Sequence, residues 1–416
     1  MKLSTLSDWL SYIGSVHSRQ IELGLTRVRK VAETLDVLTP GCPVITVGGT
    51  NGKGSTVAGL EAIYRAANYR TGAFTSPYLW QFNEEIRIDG QMATDEQLCA
   101  AFAIVDAARQ GIALTAFEFA TLAALVLFKQ QSLDVYIMEV GLGGRLDAVN
   151  ILDADIAVIT SIGIDHVEWL GDTREKIGAE KAGVFRSGKP VVCGDDIPPA
   201  SIVFAADQLS APFYQRGKDF FHEENSHEWV FSNSHIRLEH LPCNALAVQN
   251  MANVLQVIFL LQSRLPVAAS AISQGLQNIN LPGRIQIISG DITEIYDVAH
   301  NPAAMEFLSA KLLTMNCEGK TIAVFSMLKD KDIIGSIKKI RDQIDVWYVA
   351  PLVNERAASV EQLQAAFLEA GISTGIFYLS DLLLAYHEAK KAARTGDRII
   401  IFGSFYTVGN VMSLNF

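Results

Sequence analysis

From residue 43 onward, short unbroken apolar runs alternate with longer stretches of helical period. PVITV is the first run, and GSTVAGLEAIYRAANY, directly after a glycine-rich turn, carries the period of a helix. TGAFTS, LDVYIMEV, DIAVITSI and KPVVCG repeat the strand pattern, with helices expected near residues 94–109 and 116–131. Near-continuous Val/Ile runs suit strands covered on both faces, so the pattern predicts parallel βαβ construction. Between about 204 and 241 the texture becomes shorter, more polar and aromatic (FYQRGKDFF, EWVFSN, HIRLEHL), which predicts antiparallel strands or hairpins. Helical period returns in NALAVQNMANVLQVIFLLQ, and LPGR at 281–284 gathers turn formers. A second βα series follows in TEIYDV, TIAVFSM, DVWYVAP, GIFYLSD and RIIIFGS. The boundary is placed there, giving domains 1–284 and 285–416, the second a smaller Rossmann-like layer.

The length of 416 residues agrees with two domains, since one core rarely grows beyond roughly 250–300 residues. With 49% hydrophobic and 19% charged residues, both cores can be filled and disorder is disfavoured. A formal net charge of −11 argues against general nucleic-acid binding, which needs clustered Lys and Arg. The first residues, MKLSTLSDWLSYIGSVHSRQ, lack the apolar stretch of a secretory leader. The longest apolar run, LTAFEFATLAALVLF, stops at Lys129 and reads as a buried helix, not a membrane span. Cys42, Cys99, Cys193, Cys243 and Cys317 are scattered without ligand spacing, as expected of reduced thiols in a cytoplasmic protein.

The chemistry begins at VITVGGTNGKGST, residues 44–56. A strand that ends in glycines and opens a helix presents backbone N–H groups and the positive end of the helix dipole to an anion. Gly49, Thr50, Asn51, Gly52, Lys53, Gly54, Ser55 and Thr56 are the candidate nucleotide-binding residues. Lys53 adds a charge for the outer phosphates, and Ser55 or Thr56 a hydroxyl for phosphate or Mg²⁺. The usual phosphate-loop pattern has four residues between its glycines; here Gly48 and Gly52 enclose three, and Gly54 separates Lys53 from Ser55.

Further along, Glu139 ends the strand LDVYIMEV before GLGGR, a position suited either to a Mg²⁺ ligand or to a helix cap. On residue chemistry alone, His166 in SIGIDH reads as a solvated or core histidine, because imidazole favours softer metals. Lys181 in AEKAGVF reads as a helix-surface lysine paired with Glu180 or Glu175. Arg284 is either a linker arginine or a phosphate grip that acts on closure, and Phe117 either core or a stacking surface.

Taken in order, GTNGKGS, TSPYLWQFNEEIRIDG, AFEFATLAAL, MEVGLGGRLDAVN, SIGIDH, AEKAGVF, LPGR, DVAHNP and FGSFYTVG resemble the folylpolyglutamate synthase and dihydrofolate synthase branch of the Mur ligase superfamily. Together these blocks are specific, whereas each alone is weak. The resemblance implies an α/β protein: a P-loop Mur-ligase-like ATPase domain with a mostly parallel sheet, plus a smaller Rossmann-like C-terminal domain. It implies ATP and two Mg²⁺ ions, with Mn²⁺ as a substitute. By the same resemblance Ser76, Glu139, His166 and Lys181 are metal ligands, Lys181 as its carbamate, and Lys53, Glu139, His166, Lys181 and His300 are catalytic. Asn250, Arg284 and Asp297 are implied nucleotide contacts.

The acceptor is implied to sit on Gly24, Leu25 and Arg27 of GLTRV, on Thr115, Ala116, Phe117 and Glu118, and on Leu146, Asp147 and Ala148. TAFE has alanine where the family usually has an aromatic, DVAHNP has valine where glycine is frequent, and GRLDAVN has valine where threonine is frequent. The implied activity is ATP-dependent addition of L-glutamate to 7,8-dihydropteroate and to reduced folates through an acyl phosphate, in a cytoplasmic monomer that binds neither nucleic acid nor membrane. A monofunctional synthase is the nearest alternative. A muramyl ligase would need a further N-terminal domain, for which the roughly 40 residues before the first strand are too few. A nucleotide-switched binding protein is the alternative from another class, and a P-loop kinase, a third, is disfavoured by the altered loop spacing and the large second domain.

Overall fold

A computed structural model of the chain describes residues 3–19, 21–225 and 228–414. It divides into two compact units: Met1–Tyr78 with Phe82–Asn280, and Leu79–Gln81 with Leu281–Phe416.

The first unit is built on β1 (Val44–Gly48), β2 (Thr71–Phe74), β3 (Ile86–Ile88), β4 (Gln91–Met92), β5 (Val135–Glu139), β6 (Ile156–Ile159), β7 (Val191–Cys193) and β8 (Phe213–Gln215). Their order is β4-β3-β2-β5-β1-β6-β7-β8, parallel except for the β2-β3-β4 edge. Every residue of β1, β2, β5 and β6 is buried, as expected of strands covered by helices on both faces. On one face Phe74, Tyr136 and Met138 pack with Phe119, Leu122 and Leu98 from helices Ala116–Lys129 and Asp95–Arg109. Thr115 and Glu118 form a capping box that starts the former helix, and Lys129 at its end donates to Asp36.

The strand order reverses at β1, which lies between β5 and β6. Register sets Val47 beside Glu139 and Gly48 beside Ile159, so the loops leaving β1, β5 and β6 start side by side at the C-terminal edge. Ligands bind at such a switch point in open α/β sheets.

One expectation fails locally. Phe213–Gln215 is not part of an antiparallel meander but a parallel edge strand beside β7. Its three residues are only half-buried, so an edge position gives it a mixed texture that hides its parallel pairing. The antiparallel sheet is limited to β9 (Phe220–Glu224), β10 (Glu228–Asn233) and β11 (Arg237–Pro242), with Phe220, Trp229, Phe231 and Leu241 buried.

The second unit holds β12 (Gln286–Ile288), β13 (Thr293–Asp297), β14 (Thr321–Phe325), β15 (Val346–Val349), β16 (Ile376–Tyr378) and β17 (Arg398–Phe402), in the order β12-β13-β17-β14-β15-β16. Only β12 runs antiparallel. Alternate residues feed two cores: Phe325, Trp347 and Phe402 on one face, with Phe367 4.9 Å from Trp347, and Val324, Tyr348 and Ile401 on the other. Leu79–Gln81 joins this unit, and a Cβ on Gly409 would come within 2.0 Å of the Leu79 carbonyl oxygen. No local hydrophobic pattern marks that excursion. No helix among the described residues is long and apolar enough to cross a membrane.

Helix Ala269–Gln277 crosses helix Lys53–Ala66 at Gly275, where a Cβ would lie 2.6 Å from Ile63 Cα. Backbone cannot step aside as a side chain can. Gly275→Ala is expected to cost about 1–3 kcal/mol, read as a lower urea midpoint at unchanged slope.

Candidate active site

The glycine loop is held from two sides. Gly49 and Gly52 have φ of 138° and 90°, which side chains with a Cβ rarely adopt. A Cβ at Gly49 would meet Thr160 Oγ1 at 1.9 Å, and one at Gly52 would meet the Asn250 amide at 2.5 Å. The loop after β6 supplies the matching bonds: Thr50 N donates to Ser161 O at 2.7 Å, Asn51 N to Ser161 Oγ at 3.2 Å, and Thr160 Oγ1 to Asn51 O at 2.6 Å. The helix then opens at Lys53, and its first N–H groups have no acceptor within the helix. Thr56 is fully buried and returns its hydroxyl to Gly52 O at 2.9 Å, while Ser55 lies one residue earlier at 5% exposure.

Two ammonium groups converge on the Gly49 carbonyl oxygen, Lys53 Nζ at 3.2 Å and Lys181 Nζ at 2.8 Å. The expected surface pairing of Lys181 is not found. Helix Arg174–Ala182 buries Ile177, Gly178, Lys181 and Ala182 as one face, which turns the lysine inward. Glu180 instead binds Arg145 at 2.8 Å, and Glu175 accepts from the N–H groups of Ala200 and Ser201. Burial pushes the Lys181 amine down to about 7, the nearby Lys53 charge adds to this, and Asp165 and Asp147 oppose it.

The carboxylates occupy the same edge. Glu139 is 4% exposed at the end of β5. Burial raises the Glu85 carboxyl to about 8, helped by the charges of Glu139 and Glu84 and opposed by the Tyr78 N–H. His166 follows β6 with a left-handed backbone, φ 52°, its N–H donating to Asp165 Oδ1 at 2.8 Å. That loop is anchored by Asp195, which accepts from Ile162 N and from Arg174. Ser76 is half-buried just beyond β2. Among the described residues no group of three or more His, Cys, Asp or Glu is arranged to hold a metal. A cation at this edge would therefore draw further oxygen donors from hydroxyl or phosphate groups, a hard set that suits Mg²⁺ or Mn²⁺.

The three acceptor stretches meet. Gly24 N donates to Leu146 O at 3.2 Å, and Arg27 Nη2 donates to Glu118 Oε1 at 3.1 Å. Arg27 Nε is buried with no partner among the described residues. Phe117 is half-buried, its ring centre 5.7 Å from that of Phe74, and the tip of its ring comes so close to Gly141 that a Cβ there would lie 2.6 Å from Cζ. Beside it Ala116 is exposed. Asp147 caps the turn Ala148–Ile151 by accepting from Val149 N at 3.0 Å, and it also takes Leu142 N at 2.8 Å. Desolvation nonetheless raises its carboxyl to about 6.

In the second unit the buried Asp297 accepts from Ile285 N at 2.9 Å and Ala299 N at 2.8 Å. Its pKa is raised by burial, against the opposing charge of Arg284. The Arg284 guanidinium stands 4.9 Å from the Phe405 ring centre, so it is a stacked arginine and not a freely solvated one. His300 Nδ1 is 2.9 Å from Val298 O, and Asn301 caps helix Pro302–Thr314 through Ala304 N.

Comparison with known proteins adds to this geometry. The Mur ligase middle domain matches residues 47–261, and the Mur ligase glutamate ligase domain matches residues 283–405. The dihydrofolate synthase/folylpolyglutamate synthase of Escherichia coli K12 is 44% identical over 99% of this chain and 96% of its own length. This chain belongs to that family of Mur ligases. Two solved structures of such ligases align over 99% of the chain and 98% of their own: E. coli FolC in complex with DHPP and ADP, at TM-score 0.94 and 44% identity, and a bifunctional folylpolyglutamate synthase/dihydrofolate synthase with Mn, AMPPNP and L-glutamate bound, at 0.93 and 45%. The fold is the Mur ligase fold, and the chain is an ATP-dependent ligase.

Within this Mur ligase framework, Thr160, Ser161, Asp165 and Glu85 are missing from the residues expected from sequence. The first three stand in TSIGID directly after an apolar strand, which is the signal that picks out His166. Glu85 has no such signal, since EE in an exposed-looking stretch reads as solvated charge. Gly52→Ala is expected to weaken ADP binding at least tenfold by calorimetry, because both φ and the Asn250 amide reject a Cβ.

Proposed function

We propose that this chain adds L-glutamate to 7,8-dihydropteroate and extends reduced folates, using ATP to activate the acceptor carboxylate. The observation that carries the reading is the convergence of Lys53 and Lys181 on Gly49, beside buried Glu139, at the switch point of the sheet. Within the loop Gly49–Thr56, whose Thr50 and Asn51 amides are taken by Ser161, the amides at the helix start and Lys53 grip the triphosphate, and Ser55 supplies the hydroxyl, since that of Thr56 is committed to Gly52. Ser76, Glu139, His166 and the Lys181 carbamate hold divalent cations. When bound, these neutralise phosphate charge. Asn250, Arg284 and Asp297 contact the nucleotide, and His300 contributes to the chemistry from the 285–416 domain. Gly24, Leu25, Arg27, Thr115 to Glu118 and Leu146 to Ala148 receive the acceptor, with Phe117 offering its ring to the pterin.

In the first step an acceptor carboxylate oxygen bonds to the γ-phosphorus and the β–γ bridging P–O bond breaks, releasing ADP. The glutamate amine then attacks the acyl carbon, loses a proton and expels phosphate. Phosphorylation turns an oxide into a competent leaving group, and the loop amides stabilise charge on the transferred phosphoryl group without reorganising. The protein works as a cytoplasmic monomer, free of nucleic acid and membrane.

Incubation with ATP, Mg²⁺, glutamate and either dihydropteroate or tetrahydrofolate is expected to yield a new amide from each acceptor by mass spectrometry. ATP turnover without amide would overturn the ligase reading, and a product from one acceptor alone would make the enzyme monofunctional.

Carbamate formation joins CO2 to neutral Nζ and releases a proton. With its pKa lowered to about 7, Lys181 is mostly neutral above that pH and protonated below it. Metal-free enzyme in 13C-bicarbonate is expected to show a carbamate resonance, absent from Lys181→Ala, that fades as pH falls through about 7. A spectrum identical in the two proteins would remove the modification.

A further inference from the structure

We infer that Arg87 and Glu61 form a buried clamp that fixes the Ser76 loop against the phosphate-loop helix, making both positioning residues for the metal-dependent step. The inference rests on Ser76 being a metal ligand.

Arg87 lies on β3, paired with Ala73 of β2, and its side chain is 15% exposed. Its Nε donates to Glu61 Oε2 at 2.8 Å. Its Nη1 donates to Thr75 Oγ1 at 3.0 Å and to Glu84 O at 2.9 Å. Thr75 is the residue before Ser76, and its own N–H donates to Glu85 O at 2.9 Å. One guanidinium thus grips both limbs of the segment that carries Ser76.

Glu61 sits on helix Lys53–Ala66, eight residues beyond Lys53, roughly 12 Å along its axis and about 80° round it. The helix holds Glu61 at a fixed separation from Lys53, so breaking the pair frees the Ser76 loop and leaves Lys53 in place. The pair therefore links the Ser76 loop to the helix whose first residue is Lys53.

Stability alone does not account for this pair. A buried ion pair contributes little or even less than nothing relative to apolar residues of the same volume. Here Glu61 Oε1 is also buried without a partner among the described residues, which adds a further desolvation cost. A planar fork that satisfies Glu61, Thr75 and Glu84 at once holds three elements at fixed separations, which an apolar pair cannot do.

The test measures the Mg²⁺ dependence of ADP formation in Glu61→Gln, Arg87→Lys, Arg87→Met and Ser76→Ala enzymes, beside their metal-free ADP affinity and thermal midpoints. The apparent KM for Mg²⁺ is expected to rise about tenfold in Glu61→Gln and Arg87→Met, in keeping with misplacement of a ligand by a fraction of an ångström. Metal-free ADP affinity is expected to stay within about twofold, and Arg87→Lys to recover only part of the loss. An enzyme that carries both Glu61→Gln and Arg87→Met is expected to be no worse than Arg87→Met, since both changes break one unit. If Arg87→Met does not fold, the near-isosteric Glu61→Gln decides. A folded Glu61→Gln enzyme with unchanged Mg²⁺ dependence, or with a lower thermal midpoint as its sole defect, would overturn the clamp while Ser76→Ala still shows the metal defect. Unchanged Mg²⁺ dependence in Ser76→Ala would instead remove the ligand reading and the clamp with it.

Discussion

Two lysine side chains directed at one carbonyl oxygen, that of Gly49, set the terms for the first unit. Bringing two cations to a buried point is unfavourable unless anions or hydrogen bonds offset them, and the surroundings reflect this. Asp147 and Asp165 stand near Lys181, the amine is driven toward neutrality, and the loop that carries the carbonyl is tied through Thr160 and Ser161 to the neighbouring strand end. Thr160 and the Asn250 amide in turn leave no room for side chains at Gly49 and Gly52. The unusual spacing of the glycine loop is thus a consequence of what it must pack against.

Much of this was readable in the order of residues. VITVG, VYIME and IAVI could hardly be anything but covered strands, and Thr115 with Glu118 marks a helix start through hydrogen bonds local to four residues. Local chemistry is legible because both partners lie within one turn. Lys181 was not legible from its own surroundings, since EKAGVF suits a solvated helix face and only the burial of Ile177 and Ala182 rotates it inward. Phe213–Gln215 misled for a related reason, because an edge strand lacks one covering neighbour and loses the apolar continuity of its parallel partners. The enrolment of Leu79–Gln81 in the second unit depends on contacts more than 200 residues away in sequence, such as that with Gly409, and no pattern within the segment encodes them.

The second unit follows a parallel logic. Asp297 ends a central strand, yet both its oxygens are used to pin the backbone at Ile285 and Ala299, the former with a left-handed φ of 44°. An aspartate that anchors the turn on which Arg284 stands makes the arginine's position a property of the fold rather than of a side-chain rotamer.

Glu118 and Asp147 share that double duty, each closing a backbone turn with the carboxylate that faces the acceptor stretches. Residues so committed resist evolutionary change, because replacing either loosens a local structure before it alters any preference. On the proposed reading, a change in the choice of acceptor therefore falls to a neighbour without such obligations, exposed Ala116, which can be replaced while the scaffold stays intact.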